Sequence, residues 1–215
     1  SFCIDKKSPF IIISFLYRFA STNSTFRSLK IEQISNVFVF SSPESKKLSR
    51  FHLGDDSAGS KTTRMKTIAW FITPHGFGHA ARASAIMAAM EERSDSWRFE
   101  IFARTPRWFF EESLARPFEY HEVLADIGFV QSSPFKEDIS KTANRLEEFF
   151  PLSPKLVEDL AKKVEKTSCR MVVCDIAPVG IAVAKKAGIP SVLVENFTWD
   201  WIYEAYSEMD PRIAF

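Results

Sequence analysis

The sequence predicts an α/β fold, a doubly wound parallel sheet of the Rossmann-like kind with helices on both faces. Two observations predict it. From residue 65 onward, short β-branched and aromatic runs alternate with stretches of helical length and composition, the pattern of a parallel sheet covered on both sides. The first of those runs also leads through a tight, Gly-containing turn straight into a helix, over Thr73-Pro74-His75-Gly76-Phe77-Gly78-His79-Ala80-Ala81-Arg82. A buried strand, a sharp turn and a helix N-terminus are the opening unit of such a domain.

The elements follow in order. Residues 66–72, Lys-Thr-Ile-Ala-Trp-Phe-Ile, read as the first buried strand. Residues 80–92 are rich in Ala and Met and contain no Gly or Pro, which reads as a helix. A second strand falls at 98–103, and Pro106 suits the first position of a helix over 107–114. Residues 118–124 make a third strand, and an irregular stretch over 125–135 leads to a helix at about 136–150. Pro151 and Pro154 punctuate the chain before a further helix over 154–166. The fourth strand is 170–174, a helix over 179–187 is stopped by Gly188, and the fifth strand is 189–194.

Residues 1–64 differ. They show no sustained apolar period, although 31–40 can pair as a strand, and 41–64 is Ser/Lys-rich with loop-like Gly54-Asp55-Asp56. This segment holds ten Lys/Arg against five Asp/Glu, whereas the remainder holds eighteen against twenty-two. The expectation is a poorly ordered leader or upstream translation over 1–64, with Met65 as the native start. A targeting leader is the sharper alternative, since residues 9–17 after Lys6-Lys7 vaguely resemble a signal h-region. Residues 65–215 then form the domain, and the apolar pair Ala214-Phe215 reads as a truncated C-terminus.

The overall formal charge of +1 gives no reason to expect nucleic acid or an acidic membrane surface as partner. No apolar run reaches the roughly 18 residues of a membrane span. Cys3, Cys169 and Cys174 form no disulfide framework, so free thiols in a reducing cytoplasm are expected.

Topology brings two distant motifs together. With strand order 3-2-1-4-5, strand four lies beside strand one, and ligands bind at the carboxyl ends where the order reverses. Strand one delivers His75 and His79, and strand four delivers Asp175-Ile176-Ala177-Pro178. Imidazole moves protons near neutral pH, and a carboxylate can orient it and offset the charge it acquires. His79 is the first candidate for a base, His75 the second, and Asp175 the orienting acid; the alternatives are a backbone-bonding His79 and an N-capping Asp175. Gly76 and Gly78 let backbone approach a ligand, and the first helical amides favour an anion. Arg82 can reach a phosphate or carboxylate, or simply be solvated. After strand five, Trp199 and Trp201 can stack on a sugar face with Asn196 and Asp200 bonding its hydroxyls, or the aromatics can plug an interface. His75 and His79 make a weak metal pair, so no metal site is expected. Residues 76–81 also satisfy G-x-G-x-x-A, but Arg104 stands near the place where an NAD site needs an acid, which leaves an NADP-binding oxidoreductase domain as a further alternative.

Thr73 to Arg82, Asp175-Ile176-Ala177-Pro178 and Asn196-Phe197-Thr198-Trp199-Asp200-Trp201-Ile202-Tyr203 together resemble the amino-terminal half of GT-B glycosyltransferases. They are most similar to bacterial glycosyltransferase-like proteins and to the N-terminal region of plant-type L-arabinokinases, over residues 65 to about 206. The Gly78-His79 step is similar to the Gly-His of UDP-glycosyltransferases. The resemblance implies His79 as the acceptor's base with Asp175 behind it, and a nucleotide-sugar donor, UDP-type, as substrate with no separate cofactor. It implies direct displacement without metal and a C-terminal donor domain outside these residues. Its arabinokinase side implies a different possibility, a non-catalytic sugar- or nucleotide-binding module fused to a kinase.

Overall fold

The computed structural model describes residues 10–14, 38–40 and 65–213. In chain order the strands and helices are β1 (Phe10–Ser14), β2 (Phe38–Phe40), β3 (Lys66–Ile72), α1 (Phe77–Arg93), β4 (Trp97–Ala103), α2 (Arg107–Glu111), β5 (Glu119–Glu122), β6 (Gln131–Ser133), β7 (Lys136–Glu137), α3 (Ile139–Phe149), α4 (Pro154–Lys166), β8 (Cys169–Asp175), α5 (Pro178–Ala187), β9 (Ser191–Glu195) and α6 (Trp199–Glu204). A 3-10 turn over Pro211–Ile213 follows.

The core is a parallel sheet in the order β5-β4-β3-β8-β9, which is the expected 3-2-1-4-5. At its β9 edge, β1 pairs in parallel with β9, and β2 pairs antiparallel with β1. A separate hairpin, β6 with β7, stands apart from this sheet. Cys3 and Gly54 to Asp56 lie outside the described residues.

The strand pleat sorts the core into two layers. Ile68, Trp70 and Ile72 of β3 face one way, packing with Phe99, Ile101 and Val173 under Ala80, Ala83 and Met87 of α1 and Phe110 of α2. Ala69 and Phe71 face the other way, with Val172 and Cys174 of β8, under Leu160 and Val164 of α4 and Val179 and Val183 of α5. A third, smaller cluster joins Leu146 of α3, Tyr203 of α6 and Ile213, with Phe129 and Trp199 against it.

Element boundaries differ from expectation where a cap decides them. Helix α1 begins at Phe77, three residues early, because Gly76 serves as its N-cap with φ of 70°; Gly78 and His79 therefore lie in its first turn. Helix α3 begins at Ile139, three residues late, because the Asp138 carboxylate accepts the backbone N–H of Lys141 at 3.0 Å and fixes the start there. Lys136 and Glu137 instead form the hairpin strand β7. Residues 199–204, read only as an aromatic cluster, form a helix.

Helix α5 packs unusually close to the sheet. A Cβ at Gly180 would meet Cys174 Sγ at 2.6 Å and Phe71 Cβ at 2.7 Å, in a core where the Phe71 and Phe102 rings are stacked at 4.4 Å. Gly180→Ala is therefore expected to destabilise the chain by about 1–3 kcal/mol through overpacking, despite the better helix propensity of Ala. Urea unfolding measures this, and an unchanged midpoint would show that α5 shifts freely.

Candidate active site

The carboxyl edge of β3 and β8 is tied together by Thr73 N–H, which donates to the Asp175 carbonyl at 3.1 Å. Immediately after, Ile176 sits in the left-handed region with φ of 51°. A β-branched residue there costs on the order of 1–3 kcal/mol, and the kink turns the chain at once towards α5, whose N-cap is Ala177. Asp175 is thus no helix cap. Its side chain is 0% exposed and turns to α1 instead.

On α1, His79 and Arg82 are three residues apart and share a helix face. Arg82 Nε donates to Asp175 Oδ2 at 2.8 Å, and Nη2 donates to Oδ1 at 2.6 Å. The third guanidinium nitrogen, Nη1, donates to Asn196 Oδ1 at 3.0 Å. His79 Nδ1 lies 2.8 Å from Asp175 Oδ1 and 3.2 Å from Arg82 Nη2. An ionised carboxylate only accepts, so the proton of the His79 contact belongs on Nδ1. Phe197 meets the imidazole edge-on, with ring centroids 6.0 Å apart. Residues from α1 therefore meet the β8 carboxylate directly, and the segment after β9 joins them through Arg82 and His79.

Gly76 and Gly78 face open space, with nothing within 4 Å of where a Cβ would stand. Helix α1 has no side-chain N-cap and no acid in its first turn, so its first amides remain available to an anion. Phe77, between the glycines, is 52% exposed and stacks at 5.2 Å on Phe109 of the stretch after β4.

His75 goes elsewhere. Its Nε2 is 3.1 Å from Asp126 Oδ1, yet both atoms are buried and not aligned as a hydrogen bond. Asp126 Oδ2 accepts Trp199 Nε1–H at 3.0 Å, and the Trp199 ring stands edge-on to His75 at 4.8 Å. Gly128, with φ of 58°, lies so close beneath the imidazole that a Cβ would fall 2.0 Å from Cε1. Trp199 also packs on Phe129 and Tyr203. Asp126 is a residue the sequence reading passed over inside an irregular stretch. It lies four residues beyond the end of β5, with no local signal that marks it as part of the site.

Asp200 is exposed in the first turn of α6. Glu195 ends β9 half-buried, with Oε2 lacking any hydrogen-bond partner among the described residues; burial, then the Asp200 carboxylate, pushes its pKa up. Burial, then Asp175, pushes the Cys174 thiol far up, and Cys169 and Cys174 are free and buried. Arg104 is exposed after β4. Among the described residues no three His, Cys, Asp or Glu side chains converge on a metal position, and no helix is long and apolar enough to cross a membrane.

No protein-family model matches the chain. The chain is 25% identical over 182 residues to an L-arabinokinase of Arabidopsis thaliana, covering 84% of this chain and 17% of that one. Similar solved structures include a UGT transferase from Siraitia grosvenorii in complex with UDP, at 17% identity and TM-score 0.38, covering 67% of this chain and 32% of that one. UGT2 of Phytolacca americana, complexed with UDP-2fluoro-glucose and pterostilbene, is 14% identical at TM-score 0.42, covering 60% of this chain and 30% of that one. CalG4, the calicheamicin glycosyltransferase, is 14% identical at TM-score 0.44, covering 68% of this chain and 37% of that one. The chain spans 17% of the arabinokinase's length and 30% to 37% of the solved glycosyltransferases'.

The raised pKa of Glu195 has a stability consequence of definite sign. The folded state holds this proton more tightly than the unfolded chain, so the contribution is full below the ordinary carboxyl range and is lost as pH rises through the raised value. Glu195→Gln should therefore be more stable than the parent at about pH 8, with that advantage shrinking by about pH 4. Equal differences in urea midpoint at the two pH values would exclude this account of Glu195.

Proposed function

We propose that residues 65–215 form the acceptor-side half of a GT-B glycosyltransferase, which moves a sugar from a nucleotide-sugar donor to an acceptor hydroxyl. The observation that carries the reading is the 2.8 Å contact of His79 Nδ1 with the buried Asp175 carboxylate, beside the open space over Gly76 and Gly78. His79 Nε2 takes the proton of the acceptor hydroxyl while that oxygen attacks the anomeric carbon. The bond from that carbon to the diphosphate breaks, and the nucleoside diphosphate leaves. Asp175 accepts the Nδ1–H and holds the imidazole in place. His75, Gly76, Gly78, Asn196, Trp199 and Asp200 are the proposed ligand-facing set around this base, and Arg82 joins it through Asn196. The donor, of UDP type, would be held mainly by a second domain, and the two free thiols suit a cytoplasmic setting.

The competing reading is a sugar- or nucleotide-binding module without catalysis. One observation favours it: Arg82 Nη2 occupies the same Asp175 oxygen that His79 uses. The similarity to an arabinokinase supports it too.

Kinetics of the full-length protein separate the two. General base catalysis supplies about 10²–10⁴-fold, so His79→Ala should lower kcat by that order with the fold retained. Asp175→Asn should cost less, and the double variant no more than His79→Ala alone, because the pair acts as a unit. His75→Ala should affect acceptor KM more than kcat. Native turnover in both His79→Ala and His75→Ala would establish the binding module.

Donor placement has its own test. The 215-residue chain alone should bind UDP with Kd above about 1 mM. Micromolar binding by calorimetry would put the donor site on this half.

A further inference from the structure

Resting on the reading of His79 as a base, we propose that Arg82 is a positioning residue that keeps the His79 ring unprotonated while Asp175 holds it in place. A base has to be unprotonated when the acceptor arrives. A buried carboxylate paired with imidazole alone would favour the imidazolium and leave no free lone pair at working pH. The geometry around Asp175 prevents this.

The charged groups facing the ring are Asp175, from β8, and Arg82, from α1 itself. Among the described contacts, the segment after β9 offers the ring neutral groups, Phe197 directly and Asn196 by way of Arg82. Arg82 grips both carboxylate oxygens, at 2.8 Å and 2.6 Å, and so cancels most of the charge that would draw a proton onto the ring. Its Nη2 is also 3.2 Å from His79 Nδ1, a cation set against the nitrogen that would share the new positive charge. The first turn of α1 adds a weaker field of the same sign. Asp175 still accepts the Nδ1–H, so orientation survives while the electrostatic pull is spent on the guanidinium.

This assigns Arg82 a role different from contact with a ligand phosphate. All three of its nitrogens are already engaged with the protein, and its side chain is only 12% exposed. The link to Asn196 fixes the guanidinium plane against the carboxylate.

The test follows proton uptake by the His79 ring in the 215-residue chain, by NMR of labelled imidazole across pH, with no substrate. Arg82→Gln keeps a donor for Asp175 but removes the charge. It should raise the pH at which the ring takes up its proton by about one unit or more, and Arg82→Lys should restore most of the parent behaviour. If Arg82→Gln does not fold, Asp175→Asn reads the same balance from the other side, and should lower that pH because Arg82 then stands uncompensated. A ring that titrates alike in the parent and in whichever of these two variants folds would overturn the proposal. In the full-length enzyme, the acid limb of kcat/KM should move with the ring in Arg82→Gln. If the ring moves and the limb does not, the charge balance assigned to Arg82 stands and the reading of His79 as the base fails.

Discussion

Everything at the carboxyl edge depends on one carboxylate with no access to water. Asp175 ends the strand next to the centre of the sheet and is fully buried. Leaving an ionised carboxylate there unpaired would cost several kcal/mol or more. The chain meets the demand from a single neighbour, α1, whose residues three apart point the same way and deliver an imidazole and a guanidinium together. That requirement fixes the rotation of α1 about its axis. It also fixes the apolar face of the helix, because Ala80, Ala83 and Met87 must then lie on the sheet. Asn196 completes the arrangement by drawing the end of β9 to the same guanidinium.

Directly after Asp175 the chain leaves the strand through the left-handed Ile176. The small side chains around it fit the close approach that follows. Gly180 brings α5 hard against Phe71 and Cys174, and Ala177 caps that helix without a side-chain bond. The site is therefore placed largely by rigid elements, with loop contributions from the turn at Gly76, residues 125–129 and the segment after β9.

The sheet was legible because its signals are local. Strands buried on both faces read as short apolar runs, and Gly76, Pro154, Pro178 and Gly188 punctuate the helices between them. The pairing of His79 with Asp175 was legible because a parallel 3-2-1-4-5 order makes β3 and β8 neighbours, and both residues sit at carboxyl ends. Three things were not legible, each for want of a local signal. Nothing in the sequence around Arg82 says whether it is solvated or spent on a carboxylate, since that depends on helix rotation. Asp126 is reached only by a loop that leaves β5 and crosses towards β3 and α6. The start of α3 depended on whether Lys136 and Glu137 would pair as a hairpin before Asp138 capped the helix.

The two histidines of the glycine turn meet different acids through opposite nitrogens. His79 gives Nδ1 to the protein, in a well-directed contact with Asp175. His75 gives Nε2 instead, to an acid whose other oxygen is already taken by Trp199, and its ring is wedged over Gly128. The contact ties residues 125–129 and the start of α6 to the turn, because all three meet at Asp126. Four residues apart in sequence, the two rings thus answer to different acids, His79 to Asp175 and His75 to Asp126.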